Sequence, residues 1–176
     1  MKRLLDIAVS AALLVPALPI IALTAVIIRL ETPGSPFFGQ TRLGRDEKPF
    51  TMWKLRSMHA GTPNRGTHEV TSAAFTGTGR IIQKIKLDEL PQLFNVLTGD
   101  MSLVGPRPCL PNQSDVIAER RKKEVFSARP GVTGLAQIEG VDMSKPRDLA
   151  RIDRDYIDRR SLWLDLSICF KTLAGV

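Results

Sequence analysis

IAVSAALLVPALPIIALTAVII, residues 7–28, is almost wholly apolar, and about 20 such residues are enough to cross the hydrocarbon core of a bilayer as a helix. The run therefore enters the membrane. It continues directly into Arg29, Leu30 and Glu31 with no small-residue cleavage site, which argues against a removable signal peptide. Pro16 and Pro19 sit near its middle, where each removes a backbone donor and bends a helix at its deepest point. Lys2 and Arg3 precede the run, while Arg29, Arg42, Arg45 and Lys48 follow it, so both ends are drawn to the cytoplasmic side. Two arrangements satisfy these residues. One is a re-entrant helix that enters and leaves by one face, broken at Pro16 and Pro19; the other is a kinked span with Met1 outside and the rest cytoplasmic.

Outside this run, a chain of 176 residues has room for one compact domain beside the membrane segment. The division expected is residues 1–31 for the membrane helix and 32–176 for the domain. The formal net charge of +7 points to an anionic partner, and nucleic acid, an anionic lipid surface or a phosphorylated substrate would each fit. Cys109 and Cys169 lie far apart with no CxxC or Cys/His cluster, which argues against a zinc site and a disulfide-built fold and favours a reducing, cytoplasm-facing location.

Pro33, Gly34 and Pro36 mark a break, after which residues 37–58 read as a hairpin around Gly44-Arg45-Asp46-Glu47-Lys48-Pro49. Phe37, Phe38, Phe50, Met52, Trp53 and Leu55 supply its apolar side. Residues 59–79, rich in Gly, Thr, Ser and Ala, read as a surface loop, with His59 and His68 as ordinary polar loop residues. A helix is expected over residues 80–86, and a second from Asp88 to Leu97, stopped by Gly99 and with Pro91 tolerated in its first turn. Residues 114–127 read as one helix bearing the basic run Arg120-Arg121-Lys122-Lys123, either a solvated face or a contact for anionic headgroups. Leu162, Trp163, Leu166, Phe170 and Leu173 recur at helical spacing, as a core stripe or an interfacial one.

The stretch KLDELPQLFNVLTGDMSLVGPRP, residues 86–108, sets adjacent carboxylates before a Gly/Pro-rich turn that ends in an arginine. Acids at a helix start are commonly there for capping and the macrodipole, worth roughly 0.3–2 kcal/mol. The functional alternative is that Asp88 attacks phosphorus as a covalent nucleophile and Glu89 holds a divalent cation through oxygen. Phosphoryl transfer needs such cations to neutralise developing charge.

Together with KRLLDI before the apolar run, FFGQTRLG and FTMWKLRSM in the hairpin, RPGVTGLAQIEG and SLWLDL, this stretch resembles the bacterial sugar transferase family, the monotopic polyprenyl-phosphate phosphoglycosyl transferases. The motifs occur in order over nearly the whole chain. The resemblance implies a mainly α fold with a small β-hairpin (α+β), with a re-entrant membrane helix, interfacial amphipathic helices and one compact catalytic domain. It implies a bacterial inner-membrane enzyme facing the cytoplasm that uses magnesium, a UDP-sugar, undecaprenyl phosphate and membrane lipids, with no nucleic acid. Asp88 would attack the β-phosphate and release UMP, carrying the sugar phosphate until the lipid phosphate attacks. Glu89 and Asp165 match acids associated with the metal and site geometry, and Arg107 matches a phosphate-binding arginine. Gln83 replaces an arginine often found five residues before the nucleophile, so Lys84 or Lys86 is expected to substitute. The segment Gln137-Ile138-Glu139-Gly140-Val141 stands where QVNGR is common, and Leu18-Pro19 stands where Ser-Pro is common, which loses a hydroxyl at the bend.

Two other readings fit the residues. A tethered, non-catalytic basic scaffold would bind polyanions, although only Phe126 lies near the basic run to stack bases. A direct single displacement would use Asp88 as base or metal ligand.

Overall fold

The computed structural model describes residues 2–59, 61–62 and 74–175. In chain order the elements are α1 (Lys2–Glu31), β1 (Phe37–Leu43), β2 (Pro49–Leu55), α2 (Gly77–Lys84), α3 (Gln92–Thr98), β3 (Ser102–Val104), α4 (Ser114–Lys122), β4 (Gly131–Thr133), α5 (Leu135–Ile138), α6 (Pro146–Arg159) and α7 (Leu162–Ala174). This is the expected mainly helical fold with a small hairpin, plus a short parallel pair between β3 and β4. His68 lies outside the described residues.

α1 is helical through both Pro16 and Pro19, whose missing donors leave the carbonyls four residues back without their usual partners. Its buried positions, Asp6, Ser10, Leu14, Ala17, Ile21, Thr24 and Ile28, fall three or four apart and so form one stripe. Leu14, Ala17, Ile21 and Ile28 pack with Leu55, Ile82 and Leu93, while Leu4, Val15, Leu23 and Leu30 on the other faces are exposed. Polar contacts fasten both ends to the rest of the fold. At the start, Arg3 donates to the carbonyls of Val96 and Leu97, and Asp6 accepts from Ser102 Oγ and the Leu103 N–H. At the end, Glu31 accepts from the Thr78 N–H, and Arg56 donates to the carbonyls of Thr32 and Pro33.

The hairpin pairs Phe37 with Leu55 through Leu43 with Pro49, and its turn takes Asp46 and Glu47 into left-handed backbone. Its inward face is more polar than expected. Strand alternation turns Gln40 and Arg42 inward with Met52, while Leu55, on the other face at the end of β2, is covered by α1; Phe37, Phe38 and Trp53 are exposed. Arg42 donates to Gln40 Oε1 and to the Pro108 carbonyl, which makes their burial tolerable.

α2 starts three residues before Arg80, because Thr76 Oγ1 accepts the Gly79 N–H and caps it. Gly79 is required there, since a Cβ would overlap the Ser57 carbonyl. Asp88 does not open an α-helix. It lies in a 3-10 turn, Leu87–Glu89, and α3 begins only after Pro91; Gly99, at φ +100°, then ends α3 as expected.

The helix expected over residues 114–127 stops at Lys122, because Glu124 turns left-handed before a 3-10 turn at Val125–Ser127. The basic run is accordingly split. Arg120 is buried and grips Asp153 with Nε and Nη2, Arg121 pairs with Glu47, and Lys122 pairs with Glu119. On α7, Trp163, Leu166, Phe170 and Leu173 are exposed, Trp163 at 84%, so this stripe is not core. Ile168 is the residue that packs inward, against Val104 and Tyr156.

The Arg120–Asp153 pair lies among apolar groups of α4 and α6, so removing one partner strands the other charge, a loss of about 3–5 kcal/mol. Arg120→Met should therefore unfold at markedly lower denaturant in detergent, and adding Asp153→Leu should recover much of the loss. Equal stability of the single variant and the parent would contradict this.

Candidate active site

The carboxylate pair is set by the backbone around it. Lys86 adopts φ 57°, turning the chain sharply out of α2 into the 3-10 turn that carries Asp88 and Glu89. β2 brings Lys54 to the pair, and the loop after β3 brings Arg107. Lys54 Nζ donates to Glu89 Oε1 at 2.9 Å, and Arg107 Nη2 donates to the same oxygen at 3.0 Å. Asp88 Oδ2 stands 3.8 Å from Lys54 Nζ, beyond a hydrogen bond, and the residue is only 5% exposed.

These environments separate two chemically similar acids. Burial raises the Asp88 carboxyl to about 6, with Lys54 opposing and the Glu89 charge assisting. Burial also pushes Glu89 upward, but the Arg107 and Lys54 charges outweigh it and hold Glu89 at about 2. Glu89 is thus a fixed anion gripped by two cations. Asp88 is a poorly solvated carboxylate that ionises near neutral pH and stands farther from Lys54 than Glu89 does, the separation that marks two acids with different roles.

Arg107 is held from behind. Arg120 Nη1 donates to the Arg107 carbonyl at 2.8 Å, Arg42 Nη1 to the Pro108 carbonyl at 3.0 Å, and the Leu43 N–H to the Cys109 carbonyl at 3.0 Å. Three consecutive carbonyls are fixed, so the guanidinium is presented from a rigid loop.

The structure thus brings together Asp88, Glu89 and Arg107. Lys86 lines a cavity with Arg107, whereas Lys84 is exposed at the end of α2 and outside that cavity's lining. Asp165 stands elsewhere: Oδ2 accepts from Lys2 Nζ at 2.6 Å and Oδ1 from the Tyr156 hydroxyl at 2.7 Å. Among the described residues no group of three or more acids, histidines or cysteines gathers it with the dyad, so its visible work is fastening the start of α1 to α7. Pro16 and Pro19 lie inside α1. Lys54 went unassigned in the sequence, Arg42 was read only as a charge following the apolar run, and Arg120 only as part of the basic run. The available signal for Lys54 was a lone lysine inside the apolar strand run MWKL.

A hard cation fits the dyad. Both cationic bonds converge on Glu89 Oε1 and leave Oε2 outside them, with Asp88 adjacent. Mg²⁺ takes one or two protein carboxylates and completes its shell with water and substrate phosphate.

The raised Asp88 pKa has a consequence for stability. Below about pH 4 the carboxyl is neutral folded or unfolded and costs nothing. As pH rises from the ordinary aspartate value of 3.8 through about 6, the unfolded chain ionises first and the fold loses stability. Above that range the cost is complete, on the order of 3 kcal/mol. Asp88→Asn should therefore melt higher than the parent at pH 8 without divalent cations, with the gap closing toward pH 4. A gap independent of pH would contradict the desolvated carboxylate.

The whole chain, residues 1–176, matches the bacterial sugar transferase family. It is 42% identical to a UDP-glucose:undecaprenyl-phosphate glucose-1-phosphate transferase of Caulobacter vibrioides, across 99% of this chain and 69% of that protein. It is 39% identical to the sugar transferase EpsL of Bacillus subtilis, across 100% of this chain and 87% of that protein. It is 37% identical to a UDP-N-acetylgalactosamine-undecaprenyl-phosphate N-acetylgalactosaminephosphotransferase of Aeromonas hydrophila, across 99% of this chain but 43% of that longer protein. The match spans the apolar helix, the hairpin and the acid pair, and the chain belongs to the bacterial sugar transferase family.

Proposed function

We propose that this protein transfers a sugar 1-phosphate from a UDP-sugar to undecaprenyl phosphate, releasing UMP, as the first membrane step of glycoconjugate synthesis. The observation that carries the reading is the unequal pair: a buried Asp88 near pKa 6 beside a Glu89 clamped by Lys54 and Arg107. The relatives named for undecaprenyl-phosphate sugar phosphate transfer supply the substrate class.

Ionised Asp88 attacks the β-phosphorus through a carboxylate oxygen. The bond from that phosphorus to the oxygen bridging the α-phosphate breaks, and UMP leaves with the bonding electrons. The sugar phosphate stays as an acyl phosphate on Asp88 until an oxygen of undecaprenyl phosphate attacks the same phosphorus and restores the carboxylate. Arg107 lies where its remaining N–H groups can meet a phosphate, and Glu89 keeps it and Lys54 in place. A magnesium ion held by Glu89, with Asp88 beside it, would neutralise charge on the transferring phosphate. Asp165 is better read as an anchor for Lys2 than as a ligand of that ion.

The membrane arrangement favoured is the re-entrant one, with the domain on the cytoplasmic face of the inner membrane. Its support is that both ends of α1 are bonded to the same domain, which a helix with ends on opposite sides of a bilayer could not keep. The exposed Trp163, Leu166, Phe170 and Leu173 on α7, with Ile81 on α2 and Ile85 just after it, suit the headgroup boundary. There a soluble nucleotide sugar meets a phosphate whose tail stays in lipid.

Incubation with a UDP-sugar and magnesium, before any lipid acceptor is added, should add the mass of one sugar phosphate to Asp88 and release UMP. Asp88→Asn should show neither while remaining folded. Release of UMP only when the lipid is present would sink the covalent route in favour of direct displacement.

A further inference from the structure

A cavity of about 510 Å³ opens beside Arg107, within the range of pockets that hold nucleotide-sized ligands. Three cations, Arg42, Lys86 and Arg107, lie in its lining. Arg42 is the unusual one, because it is 7% exposed while its hydrogen-bond acceptors, Gln40 Oε1 and the Pro108 carbonyl, are both neutral. A guanidinium removed from water and paired with no carboxylate is costly, and an anionic ligand is the ordinary remedy. Two acids, Asp142 and Asp153, also lie in the lining, and they and Glu89 are already engaged. Glu89 is held by Lys54 and Arg107, Asp153 by Arg120, and Asp142 accepts from the N–H and hydroxyl of Ser144.

The rest of the lining has different chemistry. Ala136, Val141, Met143 and Leu149 give an apolar wall, Gly134 and Gly140 present bare backbone, and Gln113 and Gln137 bring amides that can both donate and accept. An anion-binding wall joined to a thin apolar one with amide groups suits a phosphorylated planar base better than a lipid tail or a bare sugar.

We infer that Arg42 and Lys86 bind the α-phosphate of the nucleotide sugar, and that the cavity walled by residues 134–149 houses its nucleoside. This rests on the proposed transferase reading and deepens it. If the β-phosphorus sits at Asp88, Arg107 marks the passage between the reacting phosphate and the cavity. The group that lies in the cavity is then the departing UMP. Arg42 and Lys86 are substrate-binding residues in this account, and Lys86 rather than Lys84 takes the place of the basic residue absent at Gln83.

The test is calorimetric titration of the full chain in detergent with UDP, UMP, uridine and pyrophosphate, together with steady-state turnover on a UDP-sugar. The parent should bind UDP more tightly than either uridine or pyrophosphate. Arg42→Gln and Lys86→Gln should each weaken UDP about tenfold or more, as expected for loss of a charge-assisted bond, and raise KM similarly, while changing uridine binding little. Val141→Trp, which fills the slot, should weaken UMP and uridine together and leave pyrophosphate unchanged. If Arg42→Gln melts well below the parent, Lys86→Gln decides, because Lys86 is exposed at the rim. Variants that bind UDP and keep KM like a parent that turns over its substrate would overturn the cavity assignment and leave the transferase reading intact. Pyrophosphate binding as tight as UDP, with Val141→Trp without effect, would overturn the nucleoside part. A parent that binds UDP in this pattern but transfers nothing would instead overturn the transferase reading.

Discussion

Glu89 Oε1 receives two cations at once, Lys54 at 2.9 Å and Arg107 at 3.0 Å, and much of the site depends on that junction. It ties the hairpin, through Lys54, to the 3-10 turn and to the loop after β3. It also consumes the positive charge that would otherwise fall on Asp88. Because the strong bonds go to Glu89, Asp88 is left buried, weakly partnered and raised to about 6. A carboxylate with its lone pairs taken by hydrogen bonds is a poor nucleophile, and one in a dry pocket with few bonds is a better one. The unequal sharing of two cations between neighbouring acids therefore turns an ordinary acidic pair into a candidate nucleophile and its electrostatic support.

The second constraint is the membrane. α1 offers one stripe to protein and leaves the remaining apolar faces exposed, as suits a helix solvated by lipid on those faces. The contacts at its two ends put the apolar helix and the turn that carries the acid pair on a common frame. Arg3 bonds the last carbonyls of α3, the helix that follows the dyad, and Glu31 bonds the first turn of α2, the helix that precedes it. The acid pair is thus bracketed by two elements, each fastened to one end of the membrane helix.

Much of this was legible in the sequence, for identifiable reasons. The apolar run, the hairpin turn and the Gly99 stop are local signals, and the structure places the hairpin and the stop where the sequence did. The mismatches come from tertiary contacts. The aromatic residues were read as the hairpin's apolar side, but Gln40 and Arg42 are inside, where Arg42 bonds Gln40 and the Pro108 carbonyl. Arg120 looked like one charge of a solvated run and is instead the buried partner of Asp153, 33 residues further on. α6 has buried residues at helical spacing, Leu149, Ile152 and Tyr156, but its many Arg and Asp residues mask that pattern. β3 and β4 are three residues each, too short for any periodicity to announce them. Asp88 and Glu89 were found by motif, whereas Lys54, which makes them unequal, is visible only when β2 and the 3-10 turn meet.

The central claim is that phosphorus is transferred twice, onto Asp88 and then off it. The stereochemical course at a β-phosphorus made chiral by isotopic or sulfur substitution in the UDP-sugar tests this most directly. Each in-line displacement inverts configuration, so two give net retention in the polyprenyl-diphosphate product, the result this account predicts. Net inversion would mean a single displacement by the lipid phosphate and would contradict it.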